Sequence, residues 1–255
     1  MSCKLRDGHS VLDHLHQQGS MKLLFPRTPQ NSLTGVTLNT AGGITGGDRF
    51  DVAAKVGAGC HMVLTTQAAE RAYRAQPGEI GRLTNRVTVG AQARLDWLPQ
   101  ETLLYDHAAL HRSLEIDLAP DARLLAVEPV IFGRAEMGEV VQHLDFRDRI
   151  DLRRAGQVLF ADRTLMHGDA ATQMRHAATG AGCGAMASVL LAADDAERFL
   201  TPARALMPAT GGVSLIRDGL LFARLLAVDG FILRKTLVPL IELLGTAPMP
   251  RTWMI

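Results

Sequence analysis

Four stretches of this chain repeat one short pattern: an apolar residue, three turn residues, a small residue, a polar residue and a second apolar residue. They are Val56 to Met62 (VGAGCHM), Val89 to Leu95 (VGAQARL), Leu118 to Leu124 (LAPDARL) and Leu152 to Val158 (LRRAGQV). The copies start 33, 29 and 34 residues apart, and a weaker fifth begins at Leu215, with Gly219 and Leu221 in the matching places. Spacing of this size suits one supersecondary unit stacked on the next. A turn centred on Gly, Pro or Asp between alternating apolar residues is a hairpin signal. The expected fold is therefore mainly β: a layered hairpin or solenoid-like β-body, with about two α-helices toward the C-terminus. Chance recurrence of ordinary turns in a β protein is the alternative explanation.

Aromatic residues make up only 5% of the chain, and Val, Leu, Ile and Ala fall in short runs broken by Gly, Pro and Asp, as buried strands do. One helix is expected over Asp194 to Leu206, capped by Asp194 or Asp195, with Pro202 bending or breaking it. The other is expected over Phe231 to Leu244, with Asp229 as cap, Gly245 as stop and Pro239 as an interruption. Pro248 and Pro250 make the tail, Thr246 to Ile255, read as an extended segment. No compositional shift marks a linker, so residues 1–255 are expected to form one domain.

Bulk properties exclude several classes. A formal net charge of +1 and scattered arginines offer no basic field for nucleic acid. No apolar run reaches the roughly 18 residues of a membrane-spanning helix, and the first residues carry no apolar signal segment, so the expected compartment is the cytoplasm. Cys3, Cys60 and Cys183 lie far apart without a Cys-x-x-Cys pair, which suits reduced thiols.

The densest local motif is Asn39 to Arg49, NTAGGITGGDR, in which Gly42, Gly43, Gly46 and Gly47 form two pairs closed by Asp48 and Arg49. No Gly-Lys-Ser/Thr follows, and the glycines do not match the dinucleotide fingerprint, so no nucleotide is expected to bind this chain. A functional loop and a glycine-rich crossover in which Asp48 caps its own turn are equally compatible with it. Next comes LTTQAAERAYR, where Thr65, Thr66 and Gln67 lead into Glu70, Tyr73 and Arg74. Ten residues from the start of each repeat stand Thr66, Pro99, Glu128 and Asp162, with Gln67, Gln100 and Glu101 adjacent. Stacked, these polar strand ends form one column. Acids gathered there would raise one another's pKa and favour a bound cation, unless the strands merely emerge into water. The histidines show no His-x-x-His or His-Glu-x-x-His spacing; His9, His14, His16, His167 and His176 read as surface residues. No Gly-x-Ser-x-Gly elbow is present either.

Four blocks in order, NTAGGITGGDRF, LTTQAAERAYR, WLPQETLLYD and GRAEMGE, with a Pro-Arg-x-Trp close at Pro250 to Trp253, resemble the UreD/UreH family of urease accessory proteins over nearly the whole chain. The resemblance implies a mostly β, non-enzymatic scaffold that joins a UreF-like protein and a UreG-like GTPase on apo-urease and assists nickel insertion. It also implies an internal polar path for transient, weakly held nickel. Carried over by motif, the path acids are Asp48, Glu70 and Glu128; Glu101, Asp106, Glu139 and Asp162 join them by column and neighbourhood. A β-solenoid hydrolase using Glu128 and Asp162 as paired acids, or a purely structural adaptor, are the alternatives. A mean hydropathy of +0.08 and the apolar C-terminal helix suggest a face covered by a partner.

Overall fold

The computed structural model describes residues 1–28 and 30–254. In chain order the first strands are β1 (Ser2–Arg6), β2 (His9–His14), β3 (Met21–Leu24), β4 (Leu33–Asn39), β5 (Arg49–Val56) and β6 (His61–Thr66). There follow β7 (Glu70–Ala72), β8 (Gly81–Val89), β9 (Arg94–Leu98), β10 (Thr102–Leu104), β11 (Ala109–Leu118) and β12 (Arg123–Phe132). The last are β13 (His143–Arg154), β14 (Gln157–Asp169), β15 (Ala185–Ala192), β16 (Gly211–Arg217) and β17 (Leu220–Ala227). One sheet has seven strands in the order β14, β13, β11, β8, β5, β1, β2. The other has ten, running β16, β17, β15, β12, β9, β6, β4, β3, with β10 added beside β12 and β7 beside β10.

The fold is mainly β and solenoid-like, as the repeat implies, but the first three repeat turns are not hairpins. Residues 57–60 carry the chain from β5 in one sheet to β6 in the other; residues 90–93 and 119–122 do the same for β8 to β9 and β11 to β12. Equivalent strands then pair in parallel. Val56 stands opposite Val89 and Val89 opposite Leu118, while on the exit side Met62 faces Leu95 and Leu95 faces Leu124. Within each turn the N–H of the small residue, Cys60, Ala93 or Ala122, donates to the carbonyl of Gly57, Gly90 or Ala119 at 3.1 Å. Those small residues are buried between the sheets, which is why nothing larger stands there. Successive turns also bond to each other, Gly90 N–H to Val56 O (2.9 Å) and Ala119 N–H to Val89 O (2.8 Å). A backbone group that a hairpin would satisfy within one copy is here satisfied by the next. The fourth copy is a true hairpin, β13 with β14, and it slips register: Leu118 pairs with Arg154, not with Leu152. The fifth is the β16–β17 hairpin.

Between the sheets lie two apolar clusters. One gathers Val56, Val89, Leu114 and Ile116 against Met62, Leu95, Trp97 and Leu124; the other gathers Ile44, Leu104, Leu110, Val130 and Phe146. A third layer covers the outer face of the ten-stranded sheet, where Leu233, Leu237, Leu240, Ile241 and Leu244 pack on Leu125, Val127, Val189 and Leu221. Every residue of β15 (AMASVLLA) is consequently buried, the signature of a strand covered on both faces.

Helical residues build that third layer, apart from the first helix, which packs on β13 and β14. Helix α1 (Ala170–Arg175) has no counterpart in the sequence expectation; Asp169 caps it by accepting from Thr172 N–H at 2.8 Å. The expected helix from Asp194 divides into a 3-10 turn, Ala196–Phe199, and α2 (Leu200–Leu206). Pro202 therefore falls in the first turn of α2, where its missing N–H has no intrahelical acceptor to lose. Asp195 caps nothing with its side chain, pairing instead with Arg123 at 2.6 Å. Helix α3 (Gly230–Leu244) begins at the expected cap: Asp229 accepts from Ile232 N–H at 2.7 Å. Gly245 ends it, and Pro239 is accommodated inside. The tail is not wholly extended. Arg251–Trp253 forms a 3-10 turn, and the buried Trp253 donates its Nε1–H to Leu98 O at 2.9 Å. No helix among the described residues is long and apolar enough to cross a membrane.

Candidate functional site

The apolar interior is interrupted where three strands of the seven-stranded sheet turn a polar residue inward. On the face of β11 that carries Leu110, Leu114 and Ile116 stands Arg112; on that of β13, between Phe146 and Ile150, stands Asp148. Asn85 holds the matching face of β8. Arg112 and Asp148 are direct cross-strand neighbours, and the guanidinium grips the carboxylate at two points, Nε to Oδ1 at 3.0 Å and Nη2 to Oδ2 at 2.6 Å. Its Nη1 reaches across the interior to Glu128 Oε2 (2.7 Å) and Thr102 Oγ1 (2.9 Å) in the other sheet. Trp97 completes the group by donating Nε1–H to Glu128 Oε1 at 2.7 Å.

One guanidinium thus faces two buried carboxylates, so the group carries an excess negative charge whenever both are ionised. Burial pushes the Glu128 carboxyl up; Arg112 and Trp97 pull it back, Asp148 pushes it further up, and the net direction is upward. Burial also works against the charge on Arg112, yet Asp148 and Glu128 overcome it and hold the guanidinium firmly protonated.

Asn85, Trp97, Arg112 and Glu128 form the floor of a cavity of about 220 Å³, with Asp148 outside its lining. Thr66, Gln67, Pro99, Gln100 and Thr102 line its wall, and Asn39, Gly42 and Glu70 stand at its rim. Glu70 accepts from Asn39 Nδ2 at 3.3 Å through both oxygens, and burial raises its carboxyl despite those bonds and the Arg71 N–H. From rim to floor the connection is short. Glu70 is paired in register with Thr102, whose hydroxyl accepts from Arg112, which binds Glu128.

The cavity brings together Thr66, Pro99 and Glu128 of the expected column with the adjacent Gln67 and Gln100, and Glu70 joins them at the rim, but the remaining expected acids lie elsewhere. Asp48 caps its own turn, accepting from Thr45 N–H at 2.9 Å, and does not line the cavity. Arg49 opens β5 as an exposed residue. The glycine loop is a crossover laid against β7: Ile44 N–H donates to Arg71 O (2.7 Å) and Tyr73 N–H to Ile44 O (2.8 Å). A Cβ at Gly43 would stand 2.7 Å from that Arg71 oxygen and 2.2 Å from the Tyr73 ring, so only glycine permits the approach. Gly46 and Gly47 complete the turn. Thr65 points to the helical layer, its hydroxyl 3.2 Å from that of Thr252. Glu101 also faces α3, bound to Arg234 at 2.6 and 2.8 Å.

Asp106, Glu139, Tyr73 and Arg74 meet at a second, open groove with Tyr105 and Arg134. There Glu139 binds Arg134 at 2.8 Å, a hydrogen bond that pulls its carboxyl down. Burial works to raise Asp106, but the N–H groups of His143 and Gln142 outweigh it and hold the carboxyl low. Asp162 is paired with Arg224. The two acids of the hydrolase alternative, Glu128 and Asp162, are thus held by different arginines in different sheets.

Arg112, Asp148 and Asn85 belong to no motif that the sequence reading singles out, and Trp97 opens the third family block without a role of its own, although a signal exists. Each charged or amide residue breaks the period-two apolar face of its own strand, and such a break in a buried strand marks a polar contact.

The fold and site define a layered β-body, its repeat strands paired in parallel, that encloses a polar cavity with the Glu128 carboxylate at its floor. The model of the UreD urease accessory protein family matches residues 1–254. Urease accessory protein UreD of Ruegeria sp. strain TM1040 is 48% identical, covering 100% of this chain and 89% of its own length. Those of Ruegeria pomeroyi (47%; 100% and 99%) and Roseobacter denitrificans (45%; 100% and 93%) are similar throughout. The chain belongs to the UreD urease accessory protein family.

Proposed function

We propose that this chain is a non-enzymatic scaffold of urease maturation that passes nickel, as cargo, through the cavity between Glu70 and Glu128. The observation that carries the reading is the cavity floor, where the buried Glu128 meets a guanidinium that is already paired with a second buried carboxylate, Asp148, outside the lining. A cation entering a protein interior loses hydration worth many kcal/mol, and an uncompensated negative charge at the far end offsets part of that loss. Among apolar walls, the polar groups there that could ligate a metal through a side chain are oxygen donors: the Glu70 and Glu128 carboxylates, the Thr66 and Thr102 hydroxyls and the side-chain amides. Oxygen donors hold nickel less firmly than imidazole or thiolate, which suits transit and release. Glu128 already accepts from Trp97 and Arg112, but a carboxylate has about four lone-pair positions and can share them with a passing ion.

On this reading the scaffold works in the cytoplasm with a UreF-like protein, a UreG-like GTPase and apo-urease. The family name and the accessory-protein names of the relatives support that setting. Co-expression with those partners, followed by assay of urease activation and by pull-down, tests the role. Glu70→Gln and Glu128→Gln are expected to lower activation while the complex still assembles. Full activation with both changes in place would sink the passage. If Glu128→Gln fails to fold, Glu70→Gln at the rim decides alone.

A further inference from the structure

At the end of the seven-stranded sheet, two adjacent residues and a third 36 positions further on converge outside the cavity. Ligand atoms of Asp106, His107 and His143 all lie within 4.8 Å of one another. The backbone holds them together. His107 N–H donates to His143 O at 2.9 Å, tying the 105–108 turn to the first residue of β13. Asp106 Oδ1 accepts from Gln142 N–H (2.7 Å) and His143 N–H (3.0 Å), which fixes the carboxylate and leaves Oδ2 facing His107 Nε2 at 3.4 Å. The two imidazole rings lie nearly parallel, centroids 5.1 Å apart, and both residues are exposed. His107 also occupies a left-handed backbone conformation, φ +63°, which non-glycine residues adopt only when neighbours enforce it.

We infer that Asp106, His107 and His143 form a surface binding site for a divalent first-row transition cation. Two imidazoles and one carboxylate suit nickel, zinc or copper(II), whereas magnesium and calcium prefer all-oxygen sets. Three protein ligands on an exposed edge leave the remaining coordination positions to water, so the ion can exchange. Arg74, whose Nη2 lies 3.9 Å from Asp106 Oδ2, is the competing cation; it is largely exposed and free to swing aside as the metal enters. A second carboxylate stands next along the same face of β13: Asp145 Oδ1 lies 3.3 Å from His111 Nε2 and 3.5 Å from His167 Nδ1. The sheet edge thus presents further N and O donors beside the triad. His107 and His143 do not line the cavity, nor does Asp106, so the site stands independently of the passage proposed above.

Equilibrium dialysis of the full chain against Ni²⁺ alone, and then Zn²⁺ alone, counts the bound equivalents. Co²⁺ in their place reports imidazole ligation through its visible absorption. The double variant His107→Gln/His143→Gln is expected to lose one equivalent and the imidazole signature, while His9→Gln, on the exposed edge strand β2 at the far side of the sheet, retains both. Unchanged stoichiometry and affinity in the double variant would overturn the site, as would displacement of Ni²⁺ by equimolar Mg²⁺. If the double variant melts below the parent, His107→Gln, whose side chain is exposed, decides the matter through its weakened Ni²⁺ affinity, and an affinity equal to the parent's would overturn the site.

Discussion

Arg112 and Asp148 face each other on adjacent parallel strands and join through two hydrogen bonds, 3.0 and 2.6 Å, in the middle of the core. Around that pair the inter-sheet interior is polar; on either side of it the interior is apolar. The pair therefore sets where a cavity can exist.

Removing the guanidinium leaves Asp148 and Glu128 buried together without a counter-charge. Arg112→Met is expected to cost about 3–5 kcal/mol in urea unfolding, as for other broken buried pairs. Adding Asp148→Asn and Glu128→Gln to the same chain is expected to restore most of it. A triple variant no more stable than the single one would show that shape, not charge, is lost.

The pH dependence follows from the raised carboxyls of Glu70 and Glu128. Folding holds their protons more tightly than the unfolded chain does. Their contribution is complete below the unfolded value, about 4.3, and is lost as pH rises through the higher folded values. Asp106 and Glu139, held low, act in the opposite sense, so the informative quantity is a difference. Glu70→Gln is expected to lose less stability than the parent as pH rises from about 4 to about 7. Parallel denaturation curves for the two proteins across that range would refute it.

Gly43→Ala is expected to destabilise by about 1–3 kcal/mol, because the added carbon meets a backbone oxygen that cannot yield. Combining it with Tyr73→Ala relieves only the ring contact, so thermal melting should show at most partial recovery. Complete recovery would place the strain on the ring and not on Arg71 O.

Trp253 anchors the tail beneath α3. Trp253→Phe keeps much of the packing but removes the bond to Leu98 O, an expected loss of about 1 kcal/mol. Trp253→Ala adds a cavity and should lose about 3–5 kcal/mol. Equal melting temperatures for the two variants would show that packing at this position contributes nothing.

Legibility from sequence differed with the range of the interaction. The repeat placed Val56, Val89 and Leu118 on one rung because a turn is encoded by its own few residues. Asp229 and Gly245 bounded α3 for the same reason: a cap bonds within one helical turn. Gly43 was legible as glycine-rich chain, but not as a crossover against Tyr73, since its neighbour is a strand formed 28 residues later. His107 and His143, 36 residues apart, offered no spacing motif at all.

The sequence by itself determined the positions of the turns, the cap and stop of α3, the stacked β architecture and, through four ordered blocks, the family. Only the tertiary structure decided that the first three turns switch sheets, because strand pairing depends on which partner satisfies each backbone group. Only it assigned Glu128 to Arg112, Glu101 to Arg234 and Asp162 to Arg224, because a carboxylate pairs with whatever cation the packed sheets bring within reach.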